Sequence, residues 1–278
     1  MDEEVKENVQ FGAYAPGQVL NALIRLSQWT PVGRGKLRRR VADIVRDNHY
    51  GPLDTTLFGL NVRLSLHHNS SETKALLKPS LYSRTATALL QEHLSTDNAV
   101  IVDIGANVGV FSLLAASKMT FGSLVAIEPQ PDLFARLSNH LGALNPRLAE
   151  QIDITLFNCA VGASNGAQTL NVPRQLGQAS LRAIPDAKEL NVPVRTIYDI
   201  LTDAAVDHID ILKIDIEGFE DAALIPFFET APDHVWPRAI LLEHCLRDRW
   251  EQNVEAFLVQ NGYRTKAKGR TDLVLVRT

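Results

Sequence analysis

Apolar positions between residues 99 and 245 follow two alternating rhythms. Runs in which nearly every residue is apolar or β-branched lie at about 99–104, 123–128, 154–161, 209–215 and 238–244, and each reads as a strand buried on both faces. Between them the apolar residues fall into helical spacing, at about 109–119, 131–144, 197–203, 218–229 and 249–261. Strand and helix in turn predict an α/β, doubly wound, mainly parallel sheet. The closing stretch "GYRTKAKGRTDLVLVRT" reads as two more strands joined at Lys268 to Arg270, so a terminal antiparallel hairpin brings the sheet to seven strands.

Two regions fall outside this rhythm. Between Gly162 and Pro193 the sequence is polar and interrupted by Gly and Pro, and Asn165-Gly166 is a strong hairpin-turn signal. Residues 1–95 lack the regular alternation. From Lys36 to Arg46 the positions Leu37, Val41 and Ile44 alternate with Arg38, Arg39, Arg40 and Arg46, which predicts a helix with one apolar stripe and a basic face. The stretch "LFGLNVRLSLHH" alternates like a half-buried strand around Val62, Leu64 and Leu66, ending in His67 and His68. The expected organisation is an N-terminal helical and β cap over 1–95 and a sheet domain over 96–278, with an insertion at 164–193.

Charge and composition narrow the partners. The 28 Lys and Arg against 32 Asp and Glu leave a formal charge of −4, which disfavours non-specific nucleic-acid binding as the main task. Only the helix near Arg38 is strongly basic, which suits an anionic substrate and leaves a peripheral membrane contact open. Cys159 and Cys245 both lie in apolar runs and suggest neither a disulfide framework nor a metal cluster. The start "MDEEVKENVQ" is polar and acidic, and no apolar run reaches the length of a membrane span, so a cytoplasmic location is expected.

The chemistry begins in "IVDIGANVG", a strand that runs through a tight turn into a helix. Gly105 and Gly109 bracket Asn107, a spacing that departs from the dinucleotide pattern G-x-G-x-x-G. Glu128 ends the next strand, where a carboxylate can hold the two hydroxyls of a ribose. These signals alone do not separate NAD from S-adenosylmethionine. The fourth strand, "HIDILKIDIEGFE", places Asp210, Lys213, Asp215, Glu217 and Glu220 among residues of a buried strand, and buried charge requires a reason.

Together with "AIEPQP", "NCAVG" and "ILLEHC", these motifs closely resemble the FkbM family of S-adenosylmethionine-dependent methyltransferases, which methylate hydroxyl oxygens of sugars, glycolipids and polyketides. The resemblance covers residues 99 to about 245. It implies the Rossmann-like class I methyltransferase fold, with S-adenosylmethionine as cofactor and a small-molecule or glycan acceptor. It assigns Asp103, Gly105, Asn107 and Gly109 to the turn that embraces the cofactor, Glu128 to the ribose, and Cys159 and Ala160 to the adenine edge.

Methyl transfer to a hydroxyl needs alignment and a group to take the proton. Asp215, Glu217, Glu243 and His244 all fall at the carboxyl ends of the fourth and fifth strands. One reading makes His244 or Glu217 the general base. A second, similar in placement to catechol-type methyltransferases, makes Asp215, Glu243 and His244 ligands of a divalent cation, magnesium or manganese, that lowers the hydroxyl pKa. A third makes the acids structural partners of Lys213, Arg238 or Arg247. Little chain follows Glu243, so residues 1–95 and 164–193 are expected to cover the acceptor, with Trp29, Tyr82, Arg174 and Gln178 as candidate contacts. A nucleic-acid methyltransferase and a non-catalytic binding module remain alternative classes.

Overall fold

The computed structural model of the chain describes residues 9–30, 35–67, 69–79, 84–94, 98–173 and 178–278. His68, Tyr82 and Arg174 lie outside these residues. The chain opens with α1 (Gln18–Trp29), α2 (Gly35–Asn48), β1 (Leu53–Leu57), β2 (Leu60–Leu64), α3 (Ser70–Leu77) and α4 (Arg84–His93). The alternation then begins with β3 (Ala99–Ile104), α5 (Val110–Ala116), β4 (Gly122–Ile127), α6 (Pro131–Gly142), α7 (Pro146–Gln151) and β5 (Ile152–Phe157). After β6 (Ala160–Val161), β7 (Gly166–Val172) and β8 (Lys188–Arg195) it resumes with α8 (Ile197–Asp203), β9 (Ile211–Ile214), α9 (Glu220–Thr230) and β10 (Ala239–Glu243). The chain ends in α10 (Val254–Gln260), β11 (Tyr263–Lys268) and β12 (Asp272–Arg277).

The seven-stranded sheet has the order β11-β12-β10-β9-β3-β4-β5, and β12 pairs antiparallel with both of its neighbours while the other pairings are parallel. This is the doubly wound fold expected from the alternation. Its strand order reverses at the β3–β9 pair, because crossovers leave β3 and β9 in opposite directions. A crevice therefore opens at the carboxyl ends of these two strands. Side chains alternate between two cores: Ile101, Leu124 and Ile211 face one apolar cluster, and Val102, Val125 and Leu212 face the other.

Two expectations are corrected. The run 154–161 is not one strand: β5 stops at Phe157, and Ala160–Val161 joins a separate three-stranded sheet of order β6-β8-β7. Asn165-Gly166 does not link paired strands, because β6 and β7 both pair with β8. Its Asn165 amide instead bridges to α8, accepting from the Thr196 N–H and donating to Asp199. The half-buried strand expected around Val62 and Leu64 forms as β2, which pairs with β1 across a turn at Phe58 and Gly59, both in the left-handed region, as a two-residue hairpin turn requires; Leu66 lies past its end.

The basic helix forms, but its buried stripe is Val41, Ala42 and Val45, while Leu37 and Ile44 face solvent. The N-terminal elements share one continuous core with the sheet, since Leu53, Leu64, Leu76 and Leu90 belong to the same cluster as Ile101 and Leu124. They also buttress the turn after β3. Asn69 donates to the Asn107 side chain at 2.6 Å, Glu72 pairs with Arg136 of α6, and His140 spans the carbonyls of Val108 and Arg63 at 2.7 and 2.9 Å.

Candidate active site

A cavity of about 770 Å³ lies over the carboxyl ends of β3, β4, β9 and β10. The turn after β3 forms one wall. Gly105 is in the left-handed region at φ +73°, and a Cβ there would stand 1.9 Å from the Asp215 carbonyl oxygen, so glycine lets the ends of β3 and β9 close together. Gly105, Ala106 and Asn107 line the cavity, whereas Gly109 does not. Gly109 caps α5, and a Cβ there would meet Leu137 at 2.7 Å, so helix packing requires glycine here.

Asp103 supports the turn from behind. It is fully buried outside the cavity lining, accepting from Ser112 Oγ at 2.6 Å and from Lys213 Nζ at 2.9 Å. Lys213 also donates to the Gly105 carbonyl at 2.9 Å. Asp103 thus neutralises and orients a lysine that fastens the turn, which explains one of the charges in the buried fourth strand. Asp210 is another, accepting from the Val100 N–H and pairing with Arg238.

Glu128 lines the cavity at the end of β4. Its Oε2 accepts from the Asn107 N–H at 2.8 Å and its Oε1 from the Gln130 N–H at 2.9 Å. Burial nevertheless pushes its pKa up from 4.5 to about 7. Cys159 and Ala160 line the adjoining wall, and burial raises the Cys159 thiol to about 11, so it packs as a small apolar group.

The opposite floor is acidic. Asp215, Glu217 and Glu243 each place a carboxylate oxygen within 4.8 Å of the others. Burial, and then the neighbouring Asp215 carboxylate, push the Glu243 pKa up to about 12. Burial, and then the Asp215 and Glu220 carboxylates, raise Glu217 to about 7, opposed by Arg249 and Lys74. Glu217 itself is in the left-handed region at φ +54°. Its loop is held from both sides. Buried Glu220 accepts from the N–H groups of Ile216 and Gly218 and from Trp250 Nε1, while Ser180 Oγ donates to the Glu217 carbonyl at 3.0 Å. Arg182 donates to the Gly218 carbonyl and pairs with Asp221 at 2.8 Å.

His244 does not join the acids. Its two ring nitrogens are engaged by the Gly269 carbonyl and by Arg247 at 3.2 and 2.9 Å, and it is absent from the cavity lining, so it is placed neither as base nor as ligand. Trp29 is 85% exposed and also outside the cavity, whereas Gln178 lines it. Sequence reasoning missed Ser180, Arg182 and Glu220 as the holders of the acidic loop; the charged "EGFE" was the only signal for any of them.

Comparison with known proteins places this architecture. Residues 103–265 match the model of the methyltransferase FkbM domain. Methyltransferase sdnD of Sordaria araneosa is 26% identical over 204 residues, covering 60% of this chain and 74% of the relative. Methyltransferase 1 of Beauveria bassiana is 24% identical over 45% of this chain and 56% of its own length. The 31-O-demethyl-FK506 methyltransferase FkbM of Streptomyces tacrolimicus is 26% identical over 50% of this chain and 62% of its own. For the last two, the match therefore spans little more than half of the relative. Among solved structures, the METTL16 methyltransferase domain covers 93% of this chain and 80% of its own at 13% identity and a TM-score of 0.48. A methyltransferase from Geobacter sulfurreducens covers 70% and 78% at 16% identity and a TM-score of 0.41. With the FkbM domain spanning more than half of its length, from Asp103 in the first strand of the sheet to Thr265 in the terminal hairpin, the chain belongs to the FkbM methyltransferase family.

Proposed function

We propose that this chain methylates a hydroxyl oxygen of a small-molecule acceptor, a sugar, glycolipid or polyketide-like metabolite, with Glu217 receiving the proton. Family membership implies S-adenosylmethionine as the methyl donor, and the cavity's chemistry fits it. Each Glu128 oxygen has spent one lone pair on a backbone N–H, which leaves acceptor capacity for the two ribose hydroxyls. Ile127, Leu133 and Cys159 offer an apolar wall, and the acidic floor suits a sulfonium. When bound, S-adenosylmethionine supplies an electrophilic methyl group.

The observation that carries the reading is a glutamate poised near neutrality, Glu217, beside two carboxylates in the same cavity as Glu128. A base with a pKa near the working pH takes a hydroxyl proton most efficiently. The printed name of the Streptomyces tacrolimicus relative locates its methyl acceptor at an oxygen, which agrees with a hydroxyl here. Arg38, Lys74, Arg249 and Arg270 also line the cavity, which favours an acceptor bearing a phosphate or carboxylate.

The test is methyl transfer from labelled S-adenosylmethionine to panels of glycans, lipid- or nucleotide-linked sugars, hydroxylated metabolites and transfer RNA. On the acceptor found, Glu217→Gln should lower kcat by about 10²–10⁴-fold and leave cofactor affinity unchanged. Full activity of that variant would remove Glu217 as base, and transfer to RNA alone would replace the acceptor class. A second reading rests on the 4.8 Å clustering of Asp215, Glu217 and Glu243, which suits a magnesium or manganese ion. Activity lost with a chelator and restored by either ion would favour it.

A further inference from the structure

Seven of the ten large apolar side chains left exposed among the described residues lie between residues 11 and 50. They are not scattered. On α1, Val19, Leu26 and Trp29 are 85%, 50% and 85% exposed, and with exposed Ala22 they occupy positions i, i+3, i+7 and i+10 of one face. The opposite face of α1 buries Leu20, Ile24 and Ser27. On α2, which packs against α1, Leu37 and Ile44 stand seven residues apart at 50% and 46% exposure, apart from the buried Val41, Ala42 and Val45. Each helix is therefore apolar twice over, once toward the core and once toward solvent.

The charges beside these stripes identify the partner. Lys36, Arg39 and Arg40 of α2 and Arg25 of α1 are exposed, against exposed Asp43 and Asp47 of α2, so in a chain whose overall formal charge is −4 these two helices carry a net positive charge. A bilayer interface matches all three features: apolar side chains for the acyl boundary, a terminal Trp for the headgroup level, and basic residues for anionic lipids. We propose that α1 and α2 form a docking surface for an anionic lipid bilayer. Arg38, on the same helix, lines the active-site cavity, which brings α2 to the cavity wall. No described helix is long and apolar enough to cross a membrane, which makes this contact interfacial.

The full chain should sediment with vesicles of phosphatidylcholine and phosphatidylglycerol, and about tenfold or more weakly with phosphatidylcholine alone or at high salt. Trp29 fluorescence should shift to the blue on binding. Val19→Ser with Leu26→Ser, and separately Arg39→Glu with Arg40→Glu, should each reduce vesicle binding about tenfold or more while melting temperature and S-adenosylmethionine affinity stay as in the parent. Because the readout is lipid binding, it stands or falls apart from the methyl-transfer reading. A chain that stays in solution with both vesicle types overturns the proposal. So does a concentration-dependent dimer that the Val19 and Leu26 substitutions dissolve, which would make a second copy the occupant.

Discussion

Glu128 shows how a single side chain sets a pH dependence. Burial raises its pKa to about 7 against two backbone hydrogen bonds that favour the charged form, and ribose hydroxyls, as further donors, favour that form again. S-adenosylmethionine should therefore bind more tightly as pH rises from about 6 to about 8, losing up to about tenfold in affinity per unit below 7. Titration calorimetry would show this, and Glu128→Gln should both flatten the profile and cost about 1.5–3 kcal/mol. Stability of the cofactor-free protein runs the other way. The unfolded glutamate ionises near 4.5 and the folded one near 7, so the stabilisation present below 4.5 is lost as pH rises through 7. Glu217 adds to the same trend. The melting temperature should fall between these values, and a flat profile in the parent would contradict the burial of both acids.

At the scale of elements, the β7–β8 insertion acts on the Glu217 loop. A non-glycine residue at positive φ costs of the order of 1–3 kcal/mol, and Glu217 is held there by Ser180 and Arg182, which precede β8, and by Glu220 at the start of α9. Removing a holder frees the loop to relax and moves the carboxylate. Arg182→Ala is expected to lower kcat by about 10–100-fold, with little change in cofactor affinity, because Glu128 and the turn after β3 do not touch it. Steady-state kinetics beside calorimetry separates this from general unfolding. An unchanged kcat would show that the loop keeps its shape without the clamp.

Across the whole molecule, the N-terminal region is a structural part of the cofactor-binding half. Removing residues 1–80 would strip Leu53, Leu57, Leu60, Val62, Leu64, Leu76 and Leu77 from the shared core, each contributing about 1.5–3 kcal/mol of burial. Together that is of the same order as the roughly 5–15 kcal/mol by which a domain is stable. It would also remove Asn69 from Asn107 and Glu72 from Arg136. The truncated chain is expected to lose its cooperative melting transition and its S-adenosylmethionine binding together. A sharp transition with parental affinity would show an independent sheet domain. The anionic-acceptor reading belongs to this scale too. Raising salt should increase KM for a charged acceptor without changing kcat, because Arg38, Lys74, Arg249 and Arg270 act on binding through screened charge.

The sequence by itself determined the sheet, because strands buried on both faces must be continuous apolar runs, and β3, β4, β9 and β10 fall within a residue or two of those runs. It also determined that the turn after β3, Glu128, Asp215, Glu217 and Glu243 meet, since a doubly wound sheet delivers the ends of its parallel strands to one edge. Only the tertiary structure decided which charges serve the cavity and which serve the fold. A strand's two-residue period gives the face of a side chain but not its partner. Asp103 and Lys213 sit opposite each other in the β3–β9 register, 110 residues apart along the chain. His244 is turned aside by Gly269 of the terminal hairpin and by Arg247, and no local pattern encodes that contact. The same holds for Leu37 and Ile44. Their helical spacing matched a buried stripe, but which side of α2 met the core depended on where α1 and α3 packed, and that choice left an apolar face to the outside.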